Sequence, residues 1–278
     1  MNNRWTSPRR IAEGLRYRYW RYIGVHLSNL GVLGWGDRVA YVARISLALL
    51  FRVRTEGSLF PLGAQHPVVA RFGSSDLEVF HQIFVQQEYS CVTNSTDICA
   101  VLDLGANVGY SSAWFAAEFP DAVVVAVEPD PANAILARRN LLPFGNRVTV
   151  IEAAAWTANV ELVLDRSFRD GREWAVTVRH ARAGELSGVK AFTIPSLMKL
   201  SGISRIDILK MDVEGAEERL FRQGAEAWLP SVRNLLVELH DEVCEAACRH
   251  ALAPFGVGAM RSGELTVYLG LSGEINTK

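Results

Sequence analysis

A doubly wound α/β fold around a mostly parallel sheet is predicted by three observations. Strand-like runs alternate with helical stretches between Ile98 and Asp241. Those runs are apolar from end to end, which implies burial on both faces and therefore strands covered by helices on each side. The first of them ends in a glycine-rich turn that opens a helix, "VLDLGANVGYSS" over Val101–Ser112, and such a turn marks a ligand crevice at the carboxyl edge of a parallel sheet.

At 278 residues the chain can bury a large core, and it reads as one α/β domain with additions. A formal charge of −1, with 49% hydrophobic and 21% charged residues, describes a globular chain rather than a disordered tail or a membrane bundle. No global excess of positive charge points to nucleic acid. The balance is uneven along the chain, however. Residues 1–54 hold ten arginines, no lysine and two acids, Glu13 and Asp37, a charge of +8 that leaves −9 for the remainder. Aromatics interleave with those arginines in "GLRYRYWRYIG", Gly14–Gly24. The pattern fits a helical layer over the main domain or a segment lying at an anionic membrane surface. Its most apolar piece, "VAYVARISLALLF" from Val39 to Phe51, contains Arg44 and is too short to span roughly 30 Å of hydrocarbon. No signal peptide is expected, because no apolar stretch with a small-residue cleavage site follows the first charges. Cys91, Cys99, Cys244 and Cys248 form no CxxC pair, so reduced thiols and a cytoplasmic setting are expected.

Taken in order, a helix is predicted over Asp76–Gln87, where Leu77, Phe80, Ile83 and Phe84 share one face. "ICAVLDLG" is the first buried strand, "SSAWFAAEF" a helix and "AVVVAVEPD" the second strand. The helix "PANAILARRNLL" opens with Asp130 as N-cap and Pro131 in its first position. "RVTVIEAAAW" supplies the third strand, and the series resumes at "RIDILKMD" and "NLLVELHD". Between them, Trp156–Leu200 alternates in polarity at Val160–Leu164, Ala175–Val178 and Ala191–Ile194, which predicts an inserted antiparallel hairpin and connector. The tail closes with the helix "EVCEAACRHAL" and two short strands about the turn Arg261–Glu264.

The glycine turn decides between ligands by its spacing. A dinucleotide fingerprint needs glycine where this chain has Asn107 and Tyr110, which weakens a nicotinamide reading. What stands there is Asp103-x-Gly105-x-Asn107-x-Gly109. Glycine lets backbone approach a ligand closely, while a carboxylate beside it is awkward for pyrophosphate and favourable for a cationic amino group. S-adenosylmethionine carries such a group and no phosphate. Glu128, 25 residues beyond Asp103, ends the second strand where an acid can bind ribose hydroxyls, and Glu152-Ala153 ends the third, on the adenine side.

The segments "VLDLGANVGYSSAWFA", "VVAVEPDPANAILARRNL", "IDILKMDVEGAEERLF" and "LLVELHD" resemble the FkbM family of S-adenosylmethionine-dependent methyltransferases. "RFGSSDLEVFHQIFVQQEY", Arg71–Tyr89, resembles the family's upstream segment, so the likeness runs from Arg71 to Asp241. It implies a Rossmann-like class I fold with a seven-stranded, mostly parallel sheet, a β-hairpin insertion and an N-terminal helical extension. It assigns Asp103, Gly105, Asn107 and Gly109 to the methionine part of the cofactor, Glu128 to the ribose, Glu152 and Ala153 to the adenine side, and Ser75 and Asp76 to its vicinity. The chain then divides into a basic aromatic extension (1–54), a helical upstream segment (55–97) and the methyltransferase domain (98–278). One departure is "TIPSL", Thr193–Leu197, which lacks the acid family members often carry there.

In an extended strand tip residues two apart point the same way, so Asp212 pairs with Glu214 and Glu238 with His240. These four are the candidate catalytic residues. Methyl transfer to a hydroxyl needs in-line positioning and removal of a proton. His240 or Asp212 can act as the base, and Asp212 can instead hold the cofactor's amino group. Magnesium bound by Asp212, Glu214 and Glu238 is a second option, although the spacing alone assigns no metal ligand. Glu217 and Glu218 read as helix-dipole acids, Lys210 as the partner of a nearby acid, and His180 as a solvent-facing residue. Arg166, Arg169 and Arg172 read as a solvated turn. The expected function is O-methylation of a sugar, glycolipid or natural-product hydroxyl, with peripheral membrane contact through residues 1–54 and homo-oligomerisation left open. The competing readings are a noncatalytic cofactor-binding protein on the same fold and a nicotinamide oxidoreductase.

Overall fold

The computed structural model describes residues 23–166, 177–186 and 188–271. Helix α1 covers residues 23–31, and α2 (Trp35–Phe51) turns Tyr41 and Ile45 inward. An antiparallel hairpin follows, β1 (Thr55–Leu59) and β2 (Val68–Phe72). It departs from the helical expectation for residues 55–97. The cause is local: Gly57 and Ser58 dilute the strand pattern of β1, where the Arg44 side chain lies over Gly57. The helix predicted over Asp76–Gln87 is present as α3 (Asp76–Phe80) continued by a π turn through Val85.

The alternating core then runs β3 (Ala100–Leu104), α4 (Tyr110–Glu118), β4 (Val123–Glu128), α5 (Pro131–Leu141) and β5 (Val148–Glu152). Asp130 caps α5 by accepting from the N–H groups of Ala132 and Asn133, as its sequence position requires. The insertion is larger than a hairpin. β6 (Ala154–Ala155), β7 (Val160–Asp165), β8 (Thr177–Arg179) and β9 (Val189–Phe192) form a sheet of order β6-β9-β7-β8. Ala175 and Val176, and the turn arginines Arg169 and Arg172, lie outside the described residues. Next come α6 (Ile194–Ser201), β10 (Ile206–Met211), α7 (Glu217–Arg222), β11 (Val232–Glu238), α8 (Glu242–Leu252), β12 (Ala259–Ser262) and β13 (Leu265–Leu269).

The main sheet has seven strands in the order β12-β13-β11-β10-β3-β4-β5. β13 is antiparallel to both of its neighbours, and β11, β10, β3, β4 and β5 pair parallel in succession. Chain order reverses between β3 and β10, which makes their carboxyl ends the switch point where a doubly wound fold binds ligands. Adjacent residues of one strand serve opposite faces. Ile208 joins a core that includes Tyr41, Phe72 and Phe115, whereas Leu209 joins one that includes Leu197, Phe221 and Trp228. Leu33, Tyr41 and Ile45 of the extension are part of the first core, so that layer packs on the main domain.

Candidate active site

At the switch point β10 ends on Met211, and the chain folds back through Asp212, Val213, Glu214 and Gly215. Glu214 and Gly215 both have left-handed backbone, with φ of 48° and 91°. The tip is therefore a turn, and the alternation expected of an extended strand does not operate there. Glu217, fully buried at the start of α7, pins this turn: its carboxylate accepts from Val213 N at 3.0 Å and Gly215 N at 2.8 Å.

The turn brings Asp212 and Glu214 to the end of β11, where Glu238 and His240 stand. His240 Nε2 lies 3.3 Å from Glu238 Oε1, 3.4 Å from Glu214 Oε2 and 3.9 Å from Asp212 Oδ1. Its other nitrogen, Nδ1, lies 3.2 Å from Glu217 Oε1. Burial disfavours a charged His240, but the carboxylates of Glu217 and Glu238 beside the ring outweigh it and lift its pKa to about 11. Burial also raises the pKa of Asp212; Lys210 opposes that shift, and Glu238 and Glu214 reinforce it.

Lys210 joins the two halves of the switch point. Its ammonium donates to Gly105 O at 2.6 Å and lies 3.2 Å from Asp103 Oδ1 and 3.7 Å from Asp212 Oδ2. The other oxygen of Asp103 accepts from the hydroxyls of Ser111 and Ser112, both at 2.6 Å. Asp103 is thus fully buried beneath the site and reaches it through Lys210. Gly105 packs so closely on the β10 tip that a Cβ would fall 1.7 Å from Asp212 O. Gly109 is the N-cap of α4 with a φ of 83°, and a Cβ there would lie 3.1 Å from Ala137 Cα of α5.

A cavity of about 1180 Å³ opens over these groups. Gly105, Ala106, Asn107, Glu128, Ala153, Asp212, Glu214, Glu238 and His240 line it. Glu128 accepts from Asn107 N and Asp130 N, both at 2.8 Å, and burial lifts its pKa to about 7 against those two bonds. Other predicted residues stand back from the cavity. Glu152 is turned outward and pairs with Arg138 at 3.1 Å, leaving Ala153 as the lining residue of that pair. Asp76 is bound by Arg71, whose guanidinium also donates to Asn133 Oδ1 on the cavity wall, and buried Ser75 precedes it as N-cap of α3. Arg166 pairs with the cap residue Asp130, which ties the insertion to the end of β4.

Several neighbours of these residues are not evident from sequence. Glu217 reads as a helix-dipole acid yet touches His240. Glu88 lines the cavity beside the β12–β13 turn, accepts from Glu264 N at 2.6 Å, and has its pKa lifted to about 7 mainly by burial. Gly24 and Val25 of α1 also line the cavity, so the N-terminal layer borders its mouth. A signal for Glu217 exists only in the fold, since its contact with His240 joins the start of α7 to the end of β11.

Residues 103–255 match the family described as the methyltransferase FkbM domain. The 2-O-methyltransferase NoeI of Sinorhizobium fredii is 28% identical over 157 residues, covering 51% of this chain and 63% of the relative. The methyltransferase sdnD of Sordaria araneosa is 24% identical over 190 residues, covering 58% of this chain and 73% of the relative. The chain thus spans less than two thirds of the first of these relatives. Among solved structures, methyltransferase FkbM from Methylobacillus flagellatus aligns over 62% of this chain and 43% of its own, at 16% identity and a TM-score of 0.45.

Proposed function

The chain belongs to the FkbM family of methyltransferases, and from that premise we propose that it transfers the methyl group of S-adenosylmethionine to a hydroxyl oxygen of a small-molecule or glycan acceptor. The observation that carries this reading is the meeting of Asp212, Glu214, Glu238 and His240 opposite the Gly105–Asn107 loop in one cavity.

The lining fits the cofactor. Asn107 Oδ1 is buried on the cavity wall with no hydrogen-bond partner, an acceptor ready for an amino group. Each Glu128 oxygen takes one backbone N–H and retains capacity for a ribose hydroxyl. Val127, Pro129 and Ala153–Ala155 offer an apolar surface for adenine. When bound, S-adenosylmethionine supplies an electrophilic methyl on a sulfonium, and the surplus of carboxylates favours that positive charge.

Asp212 is the acceptor-facing carboxylate we assign as base. Its side chain is 30% exposed, and its raised pKa makes it a stronger base than an ordinary aspartate. His240 stands among these carboxylates and is assigned to positioning them, a change from the free-base role open to it in the sequence.

The acceptor class follows NoeI only as a proposal, because that relative's name specifies a 2-O-methyltransferase. A lipid-linked glycan is favoured by α2, whose outer face presents Trp35, Leu50 and Phe51 beside Arg52 and Arg54. Among the described residues no helix is long and apolar enough to cross a membrane.

Calorimetry with S-adenosylhomocysteine tests the reading, paired with methyl transfer from labelled donor to a glycan panel. Asp212→Asn should keep a folded protein yet lower kcat by roughly 10²–10⁴-fold. Absence of S-adenosylhomocysteine binding by the folded wild type would sink the assignment.

A further inference from the structure

We propose that Asp212, Glu214, Glu238 and His240 form a binding site for a divalent cation, set between the tips of β10 and β11. The donor spacing is the first argument. His240 Nε2 sits 3.3, 3.4 and 3.9 Å from oxygens of Glu238, Glu214 and Asp212. Nitrogen–oxygen hydrogen bonds fall at about 2.7–3.2 Å, so all three separations are too long for good ones. Donors held about 2.1 Å from a common cation stand roughly 3.0 Å apart at octahedral right angles, 3.4 Å apart in a tetrahedron and 4.2 Å apart when opposite. The observed separations lie in that interval. One ligand atom each from Asp212, Glu238 and His240 also fits within a mutual 4.8 Å.

The second argument is independent of the carboxylates. The His240 side chain is only 4% exposed, and Nε2 is buried without a hydrogen-bond partner and aimed into the cluster. Its opposite nitrogen faces Glu217, a carboxylate immobilised by two backbone N–H groups. Nδ1, like Nε2, makes no hydrogen bond, and a carboxylate facing the distal nitrogen is the placement found behind metal-ligating histidines.

Charge points the same way. Lys210 sits closest to Asp103 and is 3.7 Å from Asp212, and the carboxylates of Asp212, Glu214 and Glu238 converge on one imidazole. One imidazole nitrogen with carboxylate oxygens and no thiolate suits Mn²⁺, Fe²⁺ or Mg²⁺ chemistry. The four side chains line the cavity, leaving further coordination positions open toward an acceptor hydroxyl, whose proton a cation would loosen. This site rests on donor geometry, and with the cation bound Asp212 is a ligand, which makes the site an alternative to the metal-free base role assigned to Asp212 above.

The test is Mn²⁺ titration of the chelator-stripped full-length protein, followed by electron paramagnetic resonance, with S-adenosylhomocysteine binding measured on the same preparation. One equivalent of Mn²⁺ is expected, competed by Mg²⁺. Glu238→Gln and His240→Gln should each weaken it at least about tenfold, and the positioning variant Glu217→Gln by about 10–100-fold. Thermal melts establish that each variant is folded, and Glu238→Gln carries the test where a histidine variant is not. A folded protein that binds S-adenosylhomocysteine but no Mn²⁺ overturns the metal site and leaves the methyltransferase reading intact. Mn²⁺ binding unaltered in both Glu238→Gln and His240→Gln also overturns it.

Discussion

Buried at the end of β10, the Lys210 ammonium lies between Asp103 and Asp212. Burial by itself would neutralise the amine; Asp103 and, further off, Asp212 reverse that and hold it charged. A lone lysine beside acids suggested a pairing role in the sequence, but not that its partner would be the carboxylate of another strand. Glu128 carries a measurable consequence of burial. Its pKa near 7 in the folded chain is above the ordinary 4.5, so its contribution to stability is fully present below about pH 4.5 and is lost as pH rises through 7. The difference is worth up to about 3 kcal/mol. Glu128→Gln should therefore gain stability relative to wild type between pH 5 and pH 8, read as the difference between their melting curves without cofactor. A pH-independent difference would contradict the assignment. Referring the variant to wild type cancels Glu88, whose pKa is raised in the same way.

Secondary elements divide into those whose pattern is local and those whose meaning is tertiary. β3, β4, β10 and β11 were legible because strands buried on both faces are apolar along most of their length. Asp130 and Pro131 were legible because a helix start must satisfy free N–H groups with whatever precedes it. The β10 tip was not, since its left-handed Glu214 depends on Glu217 bonding back across the turn. α2 reads as amphipathic packing or as a membrane segment, and each reading describes one of its faces. Its inner residues Tyr41 and Ile45 are buried, while Trp35, Leu50 and Phe51 are 82%, 76% and 66% exposed. Replacing those three by serine should leave the melting temperature unchanged and cut binding to phosphatidylglycerol-containing vesicles at least about tenfold in a sedimentation assay. Equal binding by the triple variant would remove the membrane role.

At the scale of the molecule, the N-terminal layer is inseparable from the domain it covers. Asn29 is buried and donates to Leu77 O and to the Tyr41 hydroxyl, and Leu33, Tyr41 and Ile45 enter the same core as Phe72 and Phe80. Stripping three such side chains forfeits roughly 5–9 kcal/mol, comparable with the whole stability of an ordinary domain. Deletion of residues 1–54 should therefore yield a protein with no cooperative melt, and retention of a wild-type melting curve would show the layer to be dispensable. The sequence by itself determined the α/β class, the succession of buried strands and the family, because apolar periodicity and turn chemistry are written in neighbouring residues. Only the tertiary structure decided that Asp103 lies behind Lys210, that Glu152 faces outward and that Glu217 orients His240. Those outcomes depend on which strand lies beside which and how each turn bends, and residues that are far apart along the chain settle both.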